Sequence, residues 1–138
     1  MADYIRVVDI GGDGFRKVDI PVNTEFKVKN TEDQIKKQHI KKKSAKSIRD
    51  LNSLTDFVKR GTGKKKIKGI AYSVAGVIDE KHKKIKKSPN AHFLDGVPLA
   101  NVTKDKTGIR SFVFNDMEAA VTGMHVLLPD ERYFMGIT

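Results

Sequence analysis

The sequence of 138 residues contains no cysteine, and its aromatic content is only 7%. Without cysteine the chain forms no disulfide bond and no thiolate metal site. It also lacks an apolar run long enough to cross a bilayer and a hydrophobic segment of the signal-peptide type. The histidines at positions 39, 82, 92 and 125 lack the spacing of metal ligands on one helix. We therefore expect a cytoplasmic protein with no membrane partner.

Positive charge is the feature that the composition has in excess. The formal net charge is +10 and 38% of the residues are hydrophobic, which is compatible with one folded domain. Such a charge ordinarily suggests a nucleic-acid partner, because clustered lysines release counterions from phosphates. The lysines concentrate in residues 36–46, 64–68 and 81–87, each between predicted elements. Solvated loops and helix faces explain them more simply, so nucleic acid is not the expected partner.

Strands and helices alternate along most of the chain. Apolar alternation and short apolar runs predict strands at residues 4–10, 15–22, 23–30, 67–74, 109–114 and 133–137. Apolar residues at helical spacing predict helices at residues 44–58, 98–104 and 118–128. The order βββαβαβαβ combines a meander with crossovers, so we expect an α/β fold with helices packed on a mixed sheet.

The connecting segments contain most of the polar residues. Residues 11–14 predict a tight glycine-rich turn, and residues 31–46 are expected to be exposed and partly helical. A short hairpin arm is expected at 81–87, followed by a turn at 88–90. Gly76, just after a predicted central strand, indicates a close approach between two backbone segments.

Residues 112–120, with the sequence FVFNDMEAA, combine a predicted buried strand with the start of a helix. Val113 and the phenylalanines beside it form a short apolar run, and Asn115 or Asp116 can cap the helix that follows. A carboxylate at the end of a buried strand is also a candidate general base. On this segment alone, the capping role of Asp116 is the simpler of the two interpretations.

Four motifs occur in an order and at a spacing that are typical of one family. They are DIGGDG at 9–14, GIAYSVAGVID at 69–79, PNAHF at 89–93 and FVFNDMEAA at 112–120. Together they resemble the N-terminal lobe of the ROK family of sugar kinases and sugar-responsive repressors, within the actin-like and hexokinase-like ATPase superfamily. The resemblance covers nearly the whole chain and implies an RNase H-like mixed sheet.

The resemblance implies a role for each matching residue. The phosphates of Mg-ATP would face Asp9, Gly11, Gly12 and Asp13, with Mg²⁺ held by Asp9 through water. The hexose would contact Asn90, Asn115, Phe93 and Gly76, with Phe93 at the position of the family's usual tryptophan. Asp116 would accept the proton of the attacking sugar hydroxyl. A plain hairpin turn explains the glycines at 11–14 equally well, and a partly buried loop anchor explains Phe93.

The sequence departs from the family pattern at several positions. Asp13 stands where threonine is usual and sets a negative charge beside the expected phosphates, which opposes nucleotide binding unless a metal ion or Arg16 offsets it. Both prolines of the second motif are absent. Met117 and Glu118 replace a small residue and an asparagine, and if Glu118 and Asp116 share a cleft, each raises the other's cost of ionisation.

These features lead to one principal hypothesis and two alternatives. Residues 1–138 are expected to be the first lobe of a two-lobe, ATP-dependent hexose kinase and to be inactive alone. A homodimer is one expected form of the full-length protein. The last predicted strand is still apolar at Thr138, so a second lobe is expected to follow. The first alternative is a non-catalytic sugar-binding regulator of the same family, favoured by Asp13 and the missing prolines. The second is a basic nucleic-acid-binding module, favoured only by the charge.

Overall fold

The computed structural model describes residues 3–11, 14–22, 40–81 and 83–117. Along the chain its elements are β1 (Asp3–Gly11), β2 (Gly14–Val22), β3 (Lys41–Ser44), α1 (Leu51–Lys59), β4 (Lys66–Val74), β5 (Val77–Asp79), β6 (Lys84–Lys87), a 3-10 helix (His92–Leu94), α2 (Leu99–Thr107) and β7 (Ser111–Asn115). Neither described helix could cross a lipid bilayer, because each has nine residues.

A mixed sheet with the strand order β3-β2-β1-β4-β7 organises the described residues. Strand β2 runs antiparallel to both β1 and β3, whereas β4 runs parallel to both β1 and β7. The parallel pairs need crossover connections, and these contain α1 and α2. The predicted α/β class with a mixed sheet and flanking helices is confirmed.

The hydrophobic core lies on one face of this sheet. In β1 the buried side chains are those of Arg6, Val8 and Ile10, because alternate residues of a strand point to the same face. Helix α1 covers this face with Leu54 and Val58, both fully buried. The core face of the sheet therefore includes a buried arginine beside its aliphatic residues.

Helix α1 begins at Leu51, so the prediction of a helix from residue 44 is wrong at its N-terminal end. The Asp50 carboxylate accepts a hydrogen bond from the Ser53 N–H at 2.7 Å, and the Ser53 hydroxyl accepts from the Asp50 N–H at 3.3 Å. This reciprocal cap satisfies amide groups that the first turn leaves without helical partners. Ser44 instead ends β3 and pairs with Gly14.

Strand β3 occupies part of a stretch that was predicted to be polar, exposed and partly helical. All four of its residues are exposed, as predicted, but they form a strand. The helical expectation is wrong here because their backbone groups pair with β2. Lysines are common on such edge strands, where charge discourages pairing with other chains. The strand predicted at 23–30, the helix at 118–128 and the strand at 133–137 lie outside the described residues.

Strand β7 forms one edge of the described sheet, and its burial differs from the prediction. Phe112 is 47% exposed and Phe114 is 37% exposed, so the prediction of a buried strand is wrong for both. The side chain of Val113 lies between them in sequence and points to the opposite face of the sheet, where it packs against the core. The predicted hairpin arm is confirmed, although it begins earlier than expected: β5 pairs with β6 in antiparallel register.

Candidate functional site

The carboxyl ends of β1, β4 and β7 meet at one edge of the sheet because the three strands are parallel. The register pairs Ile10 with Val74, and Val74 with Asn115. We call residues 9–11, 74–76 and 115–116 together the strand-end edge. In open α/β sheets, ligands bind outside the carboxyl ends of the strands. The residues predicted from three separate motifs are thus brought to one place.

Asp9 lies at this edge with its carboxylate open to solvent. Its side chain is 43% exposed, and its Oδ2 atom is 3.9 Å from Arg16 Nη1 on the neighbouring strand. Mg²⁺ usually binds one or two carboxylates together with waters and substrate phosphates, so an exposed Asp9 fits that role. Arg16 lies beside Asp9, at a distance that gives only a weak ion pair. Gly12 and Asp13 lie outside the described residues.

Gly11 and Gly14 face each other at the end of the β1–β2 hairpin. A Cβ atom at Gly11 would meet only ordinary contacts, the nearest at 3.6 Å from Asp9 Oδ2. Gly14 is different, because its φ is 144° and a Cβ atom there would overlap the carbonyl oxygen of Lys43. Of the two described glycines of this hairpin, Gly14 is therefore the one that the close approach of β3 requires.

Gly76 follows β4 in a conformation that other residues rarely adopt. Its φ is 148°, and a Cβ atom would overlap the carbonyl oxygen of Lys87 at the end of β6. The close backbone approach that the sequence predicted at Gly76 is confirmed. A direct contact between Gly76 and a sugar stays a prediction.

The turn that contains Asn90 is attached to the end of β4 through Ser88. The Ser88 side chain is fully buried, and its hydroxyl donates a hydrogen bond to the Ala75 carbonyl oxygen at 3.2 Å. The Ser88 N–H donates to Asp95 Oδ1 at 2.7 Å, and the Ala91 N–H donates to the Ser88 carbonyl at 3.2 Å. These bonds hold the exposed Asn90 next to the strand-end edge.

Asp95 is the second residue that shapes this turn. The hydrogen bond from the Ser88 N–H lowers the pKa of the Asp95 carboxyl below its ordinary value, and His92 contributes further. His92 Nδ1 is 3.3 Å from Asp95 Oδ2. Sequence reasoning missed both Ser88 and Asp95 as positioning residues. The signal available for them was a serine directly before Pro89 and an aspartate seven residues later.

Phe93 is an anchor for the same segment. Its ring is partly buried against the core, and its centroid is 6.4 Å from that of Phe15, with an interplanar angle of 36°. This geometry is favourable for an aromatic pair. The structure therefore supports the loop-anchor interpretation, and a contact between Phe93 and a sugar stays a prediction.

Asn115 and Asp116 lie where β7 gives way to helical backbone. Asn115 is the last residue of the strand and is half-buried, whereas Asp116 and Met117 have helical backbone and are exposed. Of the two predicted capping residues, Asn115 is the one that immediately precedes the first helical position. The exposed carboxylate of Asp116 is accessible to a ligand at the strand-end edge. Glu118 lies outside the described residues.

The mixed sheet, with helices in the crossovers between its parallel strands, has the RNase H-like fold of the actin-like ATPases. The sequence model of the ROK family matches residues 7–133, and the chain therefore belongs to the ROK family. No curated protein matches the sequence.

Solved structures share this fold. A ROK family protein from Streptococcus pneumoniae, in complex with sucrose, is 16% identical with a TM-score of 0.67, over 94% of this chain and 39% of that chain. A glucokinase from Parabacteroides distasonis is 20% identical with a TM-score of 0.64, and the match covers 94% of this chain and 36% of that chain. A ROK family transcriptional regulator, a homologue of the E. coli MLC protein, is 14% identical with a TM-score of 0.58. This match covers 88% of this chain and 30% of that chain. This chain thus spans well under half of each of these structures.

Proposed function

We propose that this chain is the sugar-binding and catalytic-base lobe of an ATP-dependent hexose kinase of the ROK family. One observation supports the proposal most strongly: the parallel register of β1, β4 and β7 brings Asp9, Gly76 and Asp116 to a single edge. Family membership supports a sugar as the ligand of that edge. The chemistry assigned to each residue below forms part of the proposal.

The sugar would be positioned by amide side chains and activated by a carboxylate. Asn90 and Asn115 can each donate to and accept from a sugar hydroxyl, since an amide has both kinds of group. The exposed Asp116 would accept the proton of the attacking hydroxyl as that oxygen approaches phosphorus. Phosphoryl transfer depends mainly on such positioning and on neutralisation of charge. Ser88 contributes indirectly by holding the turn that contains Asn90.

The donor would be Mg-ATP, whose metal ion neutralises the charge that develops on the transferred phosphate. Asp9 is the described residue that would hold the ion, through water, and the Gly11 backbone would lie beside the phosphates. Arg16 would help to offset the charge of Asp9, which lies 3.9 Å away. The chain spans about two fifths of the length of the kinases that share its fold, so turnover is expected only of the whole protein. With ATP as donor, that protein would act in the cytoplasm.

A non-catalytic sugar-binding regulator of the same family is the second candidate. Asp13 favours it, since a carboxylate beside the expected phosphates opposes nucleotide binding. A regulator with the same fold is among the similar structures. In this alternative, Asn90 and Asn115 would bind the sugar as proposed above, and no phosphate would be transferred.

The two candidates differ in one experiment on the full-length protein. Hexose binding is measured by calorimetry over a panel of hexoses and amino-hexoses, and ADP release is measured with each sugar in the presence of Mg-ATP. The kinase proposal predicts release of ADP with at least one sugar that binds. Binding without ADP release would support the regulator, and the absence of any hexose binding would contradict both candidates.

A further inference from the structure

A basic cavity of about 610 Å³ lies on the core face of the sheet, near the C-terminal end of α1. This volume falls in the range of about 300–1,000 Å³ that small-molecule sites occupy. Among the described residues that line it, every ionisable group except Asp19 is cationic. The cationic groups are Arg6, Lys17, Arg60, Lys64, Lys65 and the lysines of residues 41–43.

Arg6 forms one wall of the basic cavity and is 3% exposed. Its guanidinium donates to both carboxylate oxygens of Asp19, at 2.7 and 2.9 Å, and to the carbonyl oxygens of Val58 and Arg60 at 2.6 and 2.8 Å. Burial alone would raise the pKa of Asp19, but the hydrogen bonds and charges of Arg6 and Lys65 hold it below its ordinary value. The negative charge of Asp19 is thus already balanced by Arg6 and Lys65.

Lys17 is a second buried cation of the basic cavity, and in the described part of the chain it forms no salt bridge, although the charge of Asp19 acts on it at longer range. It is 7% exposed, and its ammonium donates to the carbonyl oxygens of Phe57 and Arg60 at 2.6 and 3.0 Å. Burial, reinforced by repulsion from Arg6, lowers its pKa to about 8. A buried cation in these surroundings is costly unless an anion approaches it.

The rim of the basic cavity adds more positive charge. Lys65 Nζ is 3.4 Å from Asp19 Oδ2, so it shares the one carboxylate that Arg6 already binds. Lys41 and Lys64 are exposed and reach the cavity from β3 and from the segment after α1. Converging lysine and arginine side chains in a concave site are the usual means of binding phosphate groups.

We propose that the basic cavity is a second ligand site, which binds a compact anion with several phosphate groups, of the polyphosphate type. Among the described lining residues, cations outnumber the single carboxylate, which explains why the ligand should be multiply charged. The volume explains why it should be small. Binding would place negative charge against Lys17 and relieve the cost of its burial. Such a site would account for part of the net charge of +10.

A small anion fits the basic cavity better than a nucleic acid does. Proteins that bind single strands stack bases on exposed aromatic rings. The aromatic residue that lines the cavity in the described part of the chain is Phe57, which is 4% exposed and covered by Lys17 at 4.7 Å. The described lining residues therefore offer groups that recognise phosphate, but no exposed ring on which a base could stack.

The basic cavity is separate from the strand-end edge. Arg6 and Asp9 are three residues apart on β1, a separation of about 10 Å along a strand, and their side chains point to opposite faces. The site would therefore bind its ligand independently of the phosphates of Mg-ATP in the proposed kinase reaction.

The test is calorimetric titration of the 138-residue chain with inorganic tripolyphosphate at pH 7 and physiological ionic strength. We compare Lys41→Ala/Lys64→Ala with Lys86→Ala/Lys106→Ala, which removes the same charge from exposed lysines outside the cavity. The expected result is one-to-one binding that weakens at least tenfold in the first variant and less than twofold in the second. Absence of binding, or equal weakening in both variants, would overturn the proposal.

Further measurements test whether the anion binds inside the basic cavity and whether the ligand is a small anion or a nucleic acid. The pKa of Lys17, followed by NMR of its side chain, should rise when tripolyphosphate binds, and an unchanged value would put the anion elsewhere. Orthophosphate at the same concentration should bind at least tenfold more weakly. A single-stranded oligonucleotide that binds more tightly than tripolyphosphate, with affinity increasing with length, would identify a nucleic-acid surface and contradict the small-anion site.

Discussion

Ser88 and Ala75 are joined by a hydrogen bond in which the buried Ser88 hydroxyl donates to the Ala75 carbonyl oxygen at 3.2 Å. This bond connects the end of the central strand β4 with the turn that contains Asn90. Because the two segments come from different motifs, the bond determines how a proposed sugar contact lies relative to the strand-end edge. The same strand end requires glycine at position 76.

Replacement of Ser88 by alanine should loosen the turn without unfolding the chain. We expect Ser88→Ala to lower the free energy of unfolding by about 1 kcal/mol, the usual contribution of one such hydrogen bond. In the full-length protein it should also weaken hexose binding, because Asn90 loses its support. Ser47→Ala removes an exposed serine hydroxyl and serves as the control. Unchanged hexose affinity in Ser88→Ala would show that this turn does not position the sugar.

Gly76→Ala should be strongly destabilising. The backbone conformation at Gly76 is unfavourable for other residues, and the new Cβ atom would overlap the Lys87 carbonyl. Strain and overpacking together predict a loss of at least about 2 kcal/mol in chemical denaturation. Gly63→Ala is the matched control, since nothing lies within 4 Å of a Cβ atom there. Equal stability of the two variants would contradict the described geometry at Gly76.

Stability should rise with pH between about 8 and the ordinary lysine range because of Lys17. Its folded-state pKa of about 8 lies below its unfolded value of 10.5, so in this window the unfolded chain binds a proton that the folded chain has released. Among the described residues, the charged groups that act on it are Arg6, Asp19, Arg60 and Lys41. Urea denaturation of the wild type should give a higher free energy of unfolding at pH 9.5 than at pH 7.5. This increase should be smaller in Lys17→Met and unchanged in the control Lys86→Met.

In the described part of the chain, the sequence predicted the sheet strands that have an apolar pattern and missed the one that lacks it. Strand β3 has the sequence KKKS and joins the sheet through backbone pairing with β2, which no side-chain periodicity reveals. The start of α1 was misplaced because apolar residues at helical spacing continue back to Ala45, whereas Asp50 is the cap in the structure. Local pattern therefore predicted the order of the fold but not these boundaries.

The candidate site shows a similar division. Apolar runs predicted that Asp9 and Asp116 lie at strand ends, and the parallel register of the folded sheet brings these ends together. The hydrogen bond between Ser88 and Asp95 depends on the path of a loop, which the sequence pattern does not reveal. The contact of Arg6 with the Val58 carbonyl joins residues separated by 52 positions, so only the folded chain reveals it. Long-range contacts between polar side chains and backbone groups have no periodic signal in sequence.

The most direct test of the proposed function is phosphate transfer by Asp116→Asn in the full-length protein, with hexose affinity measured in parallel. Asp105→Asn, which changes an exposed aspartate on α2, is the control. We predict that Asp116→Asn lowers kcat by at least about a hundredfold, as expected for loss of a general base, and leaves the Kd for hexose within about threefold. Transfer at the wild-type rate by Asp116→Asn would contradict the assignment of Asp116 as the catalytic base.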